Sequence, residues 1–139
     1  MCGNSGPMCC RPEAGYPTDD YLKAGKWGGY ECDLPKKTLQ SMLDHVKDIV
    51  KPDFFFWTGD NSPHNTWANT AEEVTNYTLE ITKMVKDTFK DSEIKVYPCL
   101  GNHDTWPVNV EDFTTAGDNN IINSVGEGWQ EWLGEEATA

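Results

Sequence analysis

Apolar residues recur at helical spacing at Leu34, Leu39, Met42, Leu43, Val46, Ile49 and Val50, while Lys36, Lys37, Gln40, Asp44, Lys47 and Asp48 fill the other face. This pattern predicts an amphipathic helix over about 35–50, capped by Asp33, entered at Pro35 and closed by Pro52. The pattern then changes. Asp53-Phe54-Phe55-Phe56-Trp57-Thr58 is apolar and aromatic without alternation, which predicts a strand buried on both faces. Thr70-Ala71-Glu72-Glu73 matches a capping box, and Val74, Tyr77, Ile81, Met84, Val85 and Phe89 carry a helical period to about residue 89. A second strand is predicted from Ile94 to Cys99, and a short helix from about Ser124 to Leu133 with Val125, Trp129, Trp132 and Leu133 on one face. The order strand, helix, strand gives a parallel, right-handed βαβ unit and an α/β fold class. Two strands make a very small sheet whose apolar faces need further partners. The expected architecture is therefore part of a larger fold.

The first 32 residues have no such periodicity. They are rich in Gly and Pro and hold Cys2, Cys9, Cys10 and Cys32. A segment without a core gains most from crosslinks, so a disulfide-stapled lead-in is expected. Four cysteines allow three pairings. Adjacent Cys9 and Cys10 are expected to bond to different partners, with Cys2–Cys9 and Cys10–Cys32 the first choice. Free thiols or a structural zinc site are the alternatives, although repeated CxxC spacing is missing. Cys99, in Tyr97-Pro98-Cys99-Leu100, reads as a buried small hydrophobe.

The length of 139 residues suits one domain. It is read as a single domain over 1–139, with a Cys-rich lead-in at 1–32 and an α/β segment at 33–139. The balance of 11 basic against 23 acidic residues, a net charge of −12, repels a nucleic-acid backbone, so no nucleic-acid partner is expected. No apolar run approaches the roughly 20 residues that span a bilayer, and no signal peptide is read at Met1. The sequon Asn76-Tyr77-Thr78 makes a glycoprotein of this chain if it is secreted.

Two polar clusters follow the two strands: Gly59-Asp60-Asn61 and Gly101-Asn102-His103-Asp104. In a parallel sheet both fall at the carboxyl edge, where α/β proteins place ligands. Asp60 can supply a carboxylate bridging two divalent metals, and Asn102 a neutral amide oxygen to one of them. His103 can donate a proton to a leaving oxygen, Asp104 can orient that histidine, and His64 can reach a phosphoryl oxygen from the following loop. The structural readings stand beside these. Asp60 serves equally as a turn former or helix cap, Asn102 as an Asx turn, and His64 and His45 as surface histidines.

Trp57-Thr58-Gly59-Asp60-Asn61 and Gly101-Asn102-His103-Asp104 resemble the second and third metal-binding motifs of the calcineurin-like metallophosphoesterases. Cys9-Cys10-Arg11, Trp27-Gly28-Gly29-Tyr30-Glu31-Cys32-Asp33-Leu34-Pro35, the segment from Asp60 to Trp67, Val96-Tyr97-Pro98 and Thr105-Trp106-Pro107-Val108-Asn109 resemble the start of the acid sphingomyelinase catalytic domain. The resemblance implies a partial metallophosphoesterase fold, the βαβ unit of a larger sandwich. It implies a secreted or lysosomal phosphodiesterase with two zinc ions, acting on sphingomyelin-like or related phosphoesters. By match, Asp60 bridges the zinc ions, Asn102 binds one, and His103 and His64 are the catalytic contacts to phosphate.

The chain also departs from that family. Within residues 1–139 no Asp-x-His motif is read before the cysteine cluster, no His is read after His103, and no saposin module is read. Cys99 stands where a small aliphatic residue is expected. The expectation is a fragment of a two-zinc phosphodiesterase, inactive alone. The alternative is a non-catalytic homologue serving as a subunit in a larger assembly, with a protein partner supplying the missing fold.

Overall fold

The computed structural model describes residues 10, 15–30, 32–111 and 120–134. The chain falls into two compact units, 1–45 and 46–139.

In the first unit Cys10 and Cys32 form a disulfide with Cα atoms 5.2 Å apart. The other expected pair, Cys2–Cys9, lies outside the described residues. Gly25 and Gly28 exchange backbone hydrogen bonds of 3.0 and 3.1 Å. Gly28 has a φ of 106°, and a Cβ there would stand 2.9 Å from the Pro35 ring, so this turn requires glycine. Lys26 and Lys37 place their ammonium groups 4.7 and 5.9 Å from the Trp27 ring centroid. Helix α1 spans Lys36–His45. The Pro35 carbonyl receives the Thr38 and Leu39 amides, so proline sits where its missing N–H costs nothing. Of the expected apolar stripe only Leu43 is fully buried, while Leu34 and Met42 are exposed.

The second unit begins with a π-helical turn, Val46–Val50, in place of the last turn of the expected α-helix. Lys51 follows in a left-handed conformation, φ 50°, and Pro52 prevents continuation. Strand β1 (Phe54–Trp57), helix α2 (Ala71–Phe89), strand β2 (Lys95–Pro98) and helix α3 (Asn120–Leu133) follow in order. The strands pair in parallel, Phe54 opposite Lys95 and Trp57 opposite Pro98, with α2 as the crossover. The capping box is formed. The Thr70 hydroxyl accepts from the Glu73 amide at 3.2 Å and the Glu73 carboxylate accepts from the Thr70 amide at 2.9 Å.

One face of the sheet carries the core. Phe55 packs on Phe89 at 5.6 Å and Trp57 on Trp129 at 5.5 Å between centroids. From α3, Ile121, Val125 and Trp129 recur every four residues and are all buried. Burial of each large side chain is worth about 1.5–3 kcal/mol. The Trp129 indole donates to Thr82 Oγ1 at 2.8 Å, and Thr82 in turn donates to the Thr78 carbonyl, so the polar edge of this core is bonded.

The expectation of a strand buried on both faces is not met. Phe54 and Phe56 are 52% and 67% exposed, because α2 and α3 cover only the side that carries Phe55 and Trp57. Phe54, Phe56 and Tyr97 instead cluster with one another on the open side. Cys99, expected to be buried, is an exposed free thiol one residue beyond β2.

Candidate active site

The two polar clusters do meet at the carboxyl ends of the strands. After β1 the chain turns through two successive left-handed residues, Gly59 at φ 79° and Asp60 at φ 59°. Aspartate tolerates this region better than most side chains. The turn lets the backbone of Gly59 pack directly against that of Gly101, and a Cβ on either glycine would overlap the facing loop.

Asp104 joins the loops. Its Oδ2 accepts from the amides of Asp60 at 2.7 Å and Gly101 at 2.9 Å. Its Oδ1 accepts from the Asn61 amide at 2.8 Å, the Asn61 side-chain amide at 3.0 Å and the Thr78 hydroxyl at 3.1 Å. The residue is fully buried, and a carboxylate there requires such donors. The expected bond from Asp104 to the His103 ring is not formed. His103 Nδ1 is buried without a hydrogen-bond partner among the described residues, and both Asp104 oxygens are engaged by the loops and by Thr78. The role of Asp104 was not readable from sequence, since its donors come from positions 60, 61, 78 and 101. Asn61 is likewise engaged, its Oδ1 accepting from the Trp57 indole at 3.0 Å.

Of the residues with expected chemistry, Asp60, His64 and Asn102 are exposed and His103 is partly buried. Asp60 Oδ1 accepts from the His103 backbone amide at 3.0 Å, and its Oδ2 has no hydrogen bond among the described residues. The Asn102 side-chain NH2 donates to Asn109 Oδ1 at 2.8 Å, which leaves the amide oxygen as the acceptor turned to other partners. The rings of His64 and His103 lie 4.7 Å apart, tilted by 55°. The four residues chosen from sequence therefore belong to one neighbourhood. Two clefts, of about 780 and 370 Å³, open beside residues such as Lys51, Phe54, Ser92 and Lys86, and include none of the four.

The fit to a metal pair is partial. Asp60 and Asn102 offer two oxygens of the kind a hard or borderline cation takes, whereas tetrahedral zinc takes about four ligands. Among the described residues no group of three or more His, Cys, Asp or Glu is arranged to hold a metal ion. These residues do not by themselves fit a two-metal centre.

The sequence model described as calcineurin-like phosphoesterase matches residues 34–136. The chain belongs to the calcineurin-like phosphoesterase family. The family is one that uses divalent metal, and residues 34–136 are a partial metallophosphoesterase domain. The chain is 40% identical over 136 residues to acid sphingomyelinase-like phosphodiesterase 3b of Homo sapiens, covering 96% of this chain and 28% of that protein. It is 37% identical to sphingomyelin phosphodiesterase B of Dictyostelium discoideum, covering 95% of this chain and 20% of the relative. It is 35% identical to the sphingomyelin phosphodiesterase of Bos taurus, covering 94% and 21%. The chain thus spans between a fifth and three tenths of the length of these relatives. All three are named as phosphodiesterases, which does not favour the non-catalytic alternative. The Cys10–Cys32 bond points to an oxidising compartment, and among the described residues no helix is long and apolar enough to cross a membrane.

Proposed function

We propose that residues 1–139 form part of the catalytic domain of a two-zinc phosphodiesterase acting on sphingomyelin-like or related phosphoesters, and that this stretch is inactive alone. In this reading 1–32 is the stapled lead-in and 33–139 the α/β segment of one domain. The observation that carries it is the single neighbourhood formed by Asp60, Asn102, His103 and His64, with Asp60 bonded to the His103 amide and the two rings 4.7 Å apart.

Asp60 and Asn102 would offer oxygen donors to the metal edge of the site, which would need further ligands from outside this stretch. Zinc when bound supplies charge stabilisation to the phosphate and acidifies water. His103 and His64 contact the phosphoryl oxygens, and one of them gives a proton to the leaving oxygen. A proton donor needs a mobile proton near neutral pH, which imidazole has and the amide of Asn102 lacks.

The compartment in this reading is secreted or lysosomal. The disulfide supports it, and so does Asn76, exposed on α2 within its sequon. A mass decrease on treatment with an endoglycosidase is expected for the secreted protein, and an unchanged mass contradicts glycosylation.

The functional test is hydrolysis of sphingomyelin and of a chromogenic phosphodiester by the full-length protein. Activity lost on chelation and restored by zinc is expected, with residues 1–139 alone inactive. Absence of hydrolysis by the zinc-loaded full-length protein contradicts the proposal.

A further inference from the structure

We infer that Asp104 is the positioning residue of this site, acting through Asp60, and that Thr78 of α2 holds Asp104 in place. Asp104 touches neither of the proposed phosphate contacts by a side-chain bond. It takes instead the backbone amides of Asp60, Asn61 and Gly101, at 2.7, 2.8 and 2.9 Å.

Those three amides belong to the two loops that carry the proposed metal and phosphate groups. Turning the amides of Asp60 and Asn61 toward one buried carboxylate requires the left-handed backbone seen at Gly59 and Asp60. Such a conformation persists only where surrounding bonds over-determine it. The same turn presents the Asp60 side chain outward, where Oδ1 meets the His103 amide at 3.0 Å. Asp104 therefore sets where the Asp60 carboxylate stands without touching substrate.

Thr78 supplies what the loops do not. Its hydroxyl reaches Oδ1 at 3.1 Å from the crossover helix, and the residue has no exposed surface. The site is in this way registered to α2 as well as to the strands. Asparagine at position 104 would keep the shape but replace one acceptor oxygen by a donor facing donors. A buried unsatisfied amide would then open the loop.

The test is amide hydrogen exchange on the full-length protein. In Asp104→Asn, the amides of Asp60, Asn61 and Gly101 are expected to exchange about tenfold faster or more, with those of β1 and β2 unchanged. Unchanged exchange at the three amides overturns the inference. So does acceleration spread evenly over the sheet, which would mark a general core residue.

If Asp104→Asn fails to fold, Thr78 decides. Thr78→Val is expected to accelerate the same amides and Thr78→Ser, which keeps the hydroxyl, to leave them as in wild type. Equal behaviour of the two overturns the inference. Asn76→Gln removes the sequon but keeps Thr78, so a glycan effect is recognised separately. The kinetic arm rests on the proposed phosphodiesterase reading: kcat is expected to fall in Thr78→Val with KM little changed, and an unchanged kcat overturns positioning. If the wild-type protein hydrolyses no phosphodiester, that reading fails while the exchange data still decide the role of Asp104.

Discussion

The imidazole rings of His64 and His103 lie 4.7 Å apart, brought together by loops that follow different strands. His103 sits on a 3-10 turn, Asn102–Asp104, and its own backbone amide anchors Asp60. The pair thus stands at the junction of both polar clusters.

If these rings contact phosphate and serve the leaving group, replacing His103 by Ala in the full-length enzyme should lower kcat by about 10²–10⁴-fold, the range of general acid catalysis. His64→Ala should also be impaired. The double variant should lose much less than the product of the two losses, because residues of one constellation act as a unit. Steady-state kinetics on a chromogenic phosphodiester measure this, and wild-type kcat in either single variant contradicts it.

Gly59 and Gly134 provide an internally controlled stability comparison. Both have positive φ, 79° and 80°. A Cβ at Gly134 meets nothing within 4 Å, whereas one at Gly59 would overlap the Gly101 amide and come within 2.6 Å of Asp104 Oδ2. Gly134→Ala should therefore cost only the conformational term, about 1 kcal/mol. Gly59→Ala should cost about 3 kcal/mol more, or fail to fold. Denaturant titration of the two variants separates the terms, and equal costs contradict the close loop packing.

Much of this fold was legible because its signals are local. The capping box needs only Thr70 and Glu73, and the βαβ unit needs only two apolar runs flanking a helical period. Asp60 and Asn102 stood out as candidates for a similar reason, each directly following a glycine beyond a strand, with His103 next to Asn102. The exposure of Phe54 and Phe56 was not legible, because an apolar run states that a face is to be covered but not by what. Asp104 was misread for a different reason. Its neighbour in sequence is His103, but its partners in space are Asp60, Asn61, Gly101 and Thr78, a set with no local pattern.

The acidic surface offers a pH prediction at Asp87. A hydrogen bond from Lys83, one helical turn back, lowers the Asp87 pKa below the ordinary value of 3.8, and the charges of Lys83 and Lys90 add to this. A depressed folded-state pKa gives stability that is present above the unfolded value and is lost as pH falls through the folded one. The window is therefore below pH 3.8. The side chain is exposed, so solvent screens the pair. NMR titration should place the Asp87 midpoint below 3.8, and Lys83→Gln should raise it. A midpoint unmoved by that substitution contradicts the assignment.

On the proposed reading Asp60 contributes to a two-zinc site of which this stretch holds only part. The most direct measurement is the zinc content of the purified full-length protein by elemental mass spectrometry, in wild type and in Asp60→Asn. Two zinc ions per chain in wild type are expected, with fewer in Asp60→Asn and less than one in residues 1–139 alone. Full zinc occupancy in Asp60→Asn, together with undiminished phosphodiester hydrolysis, would contradict it.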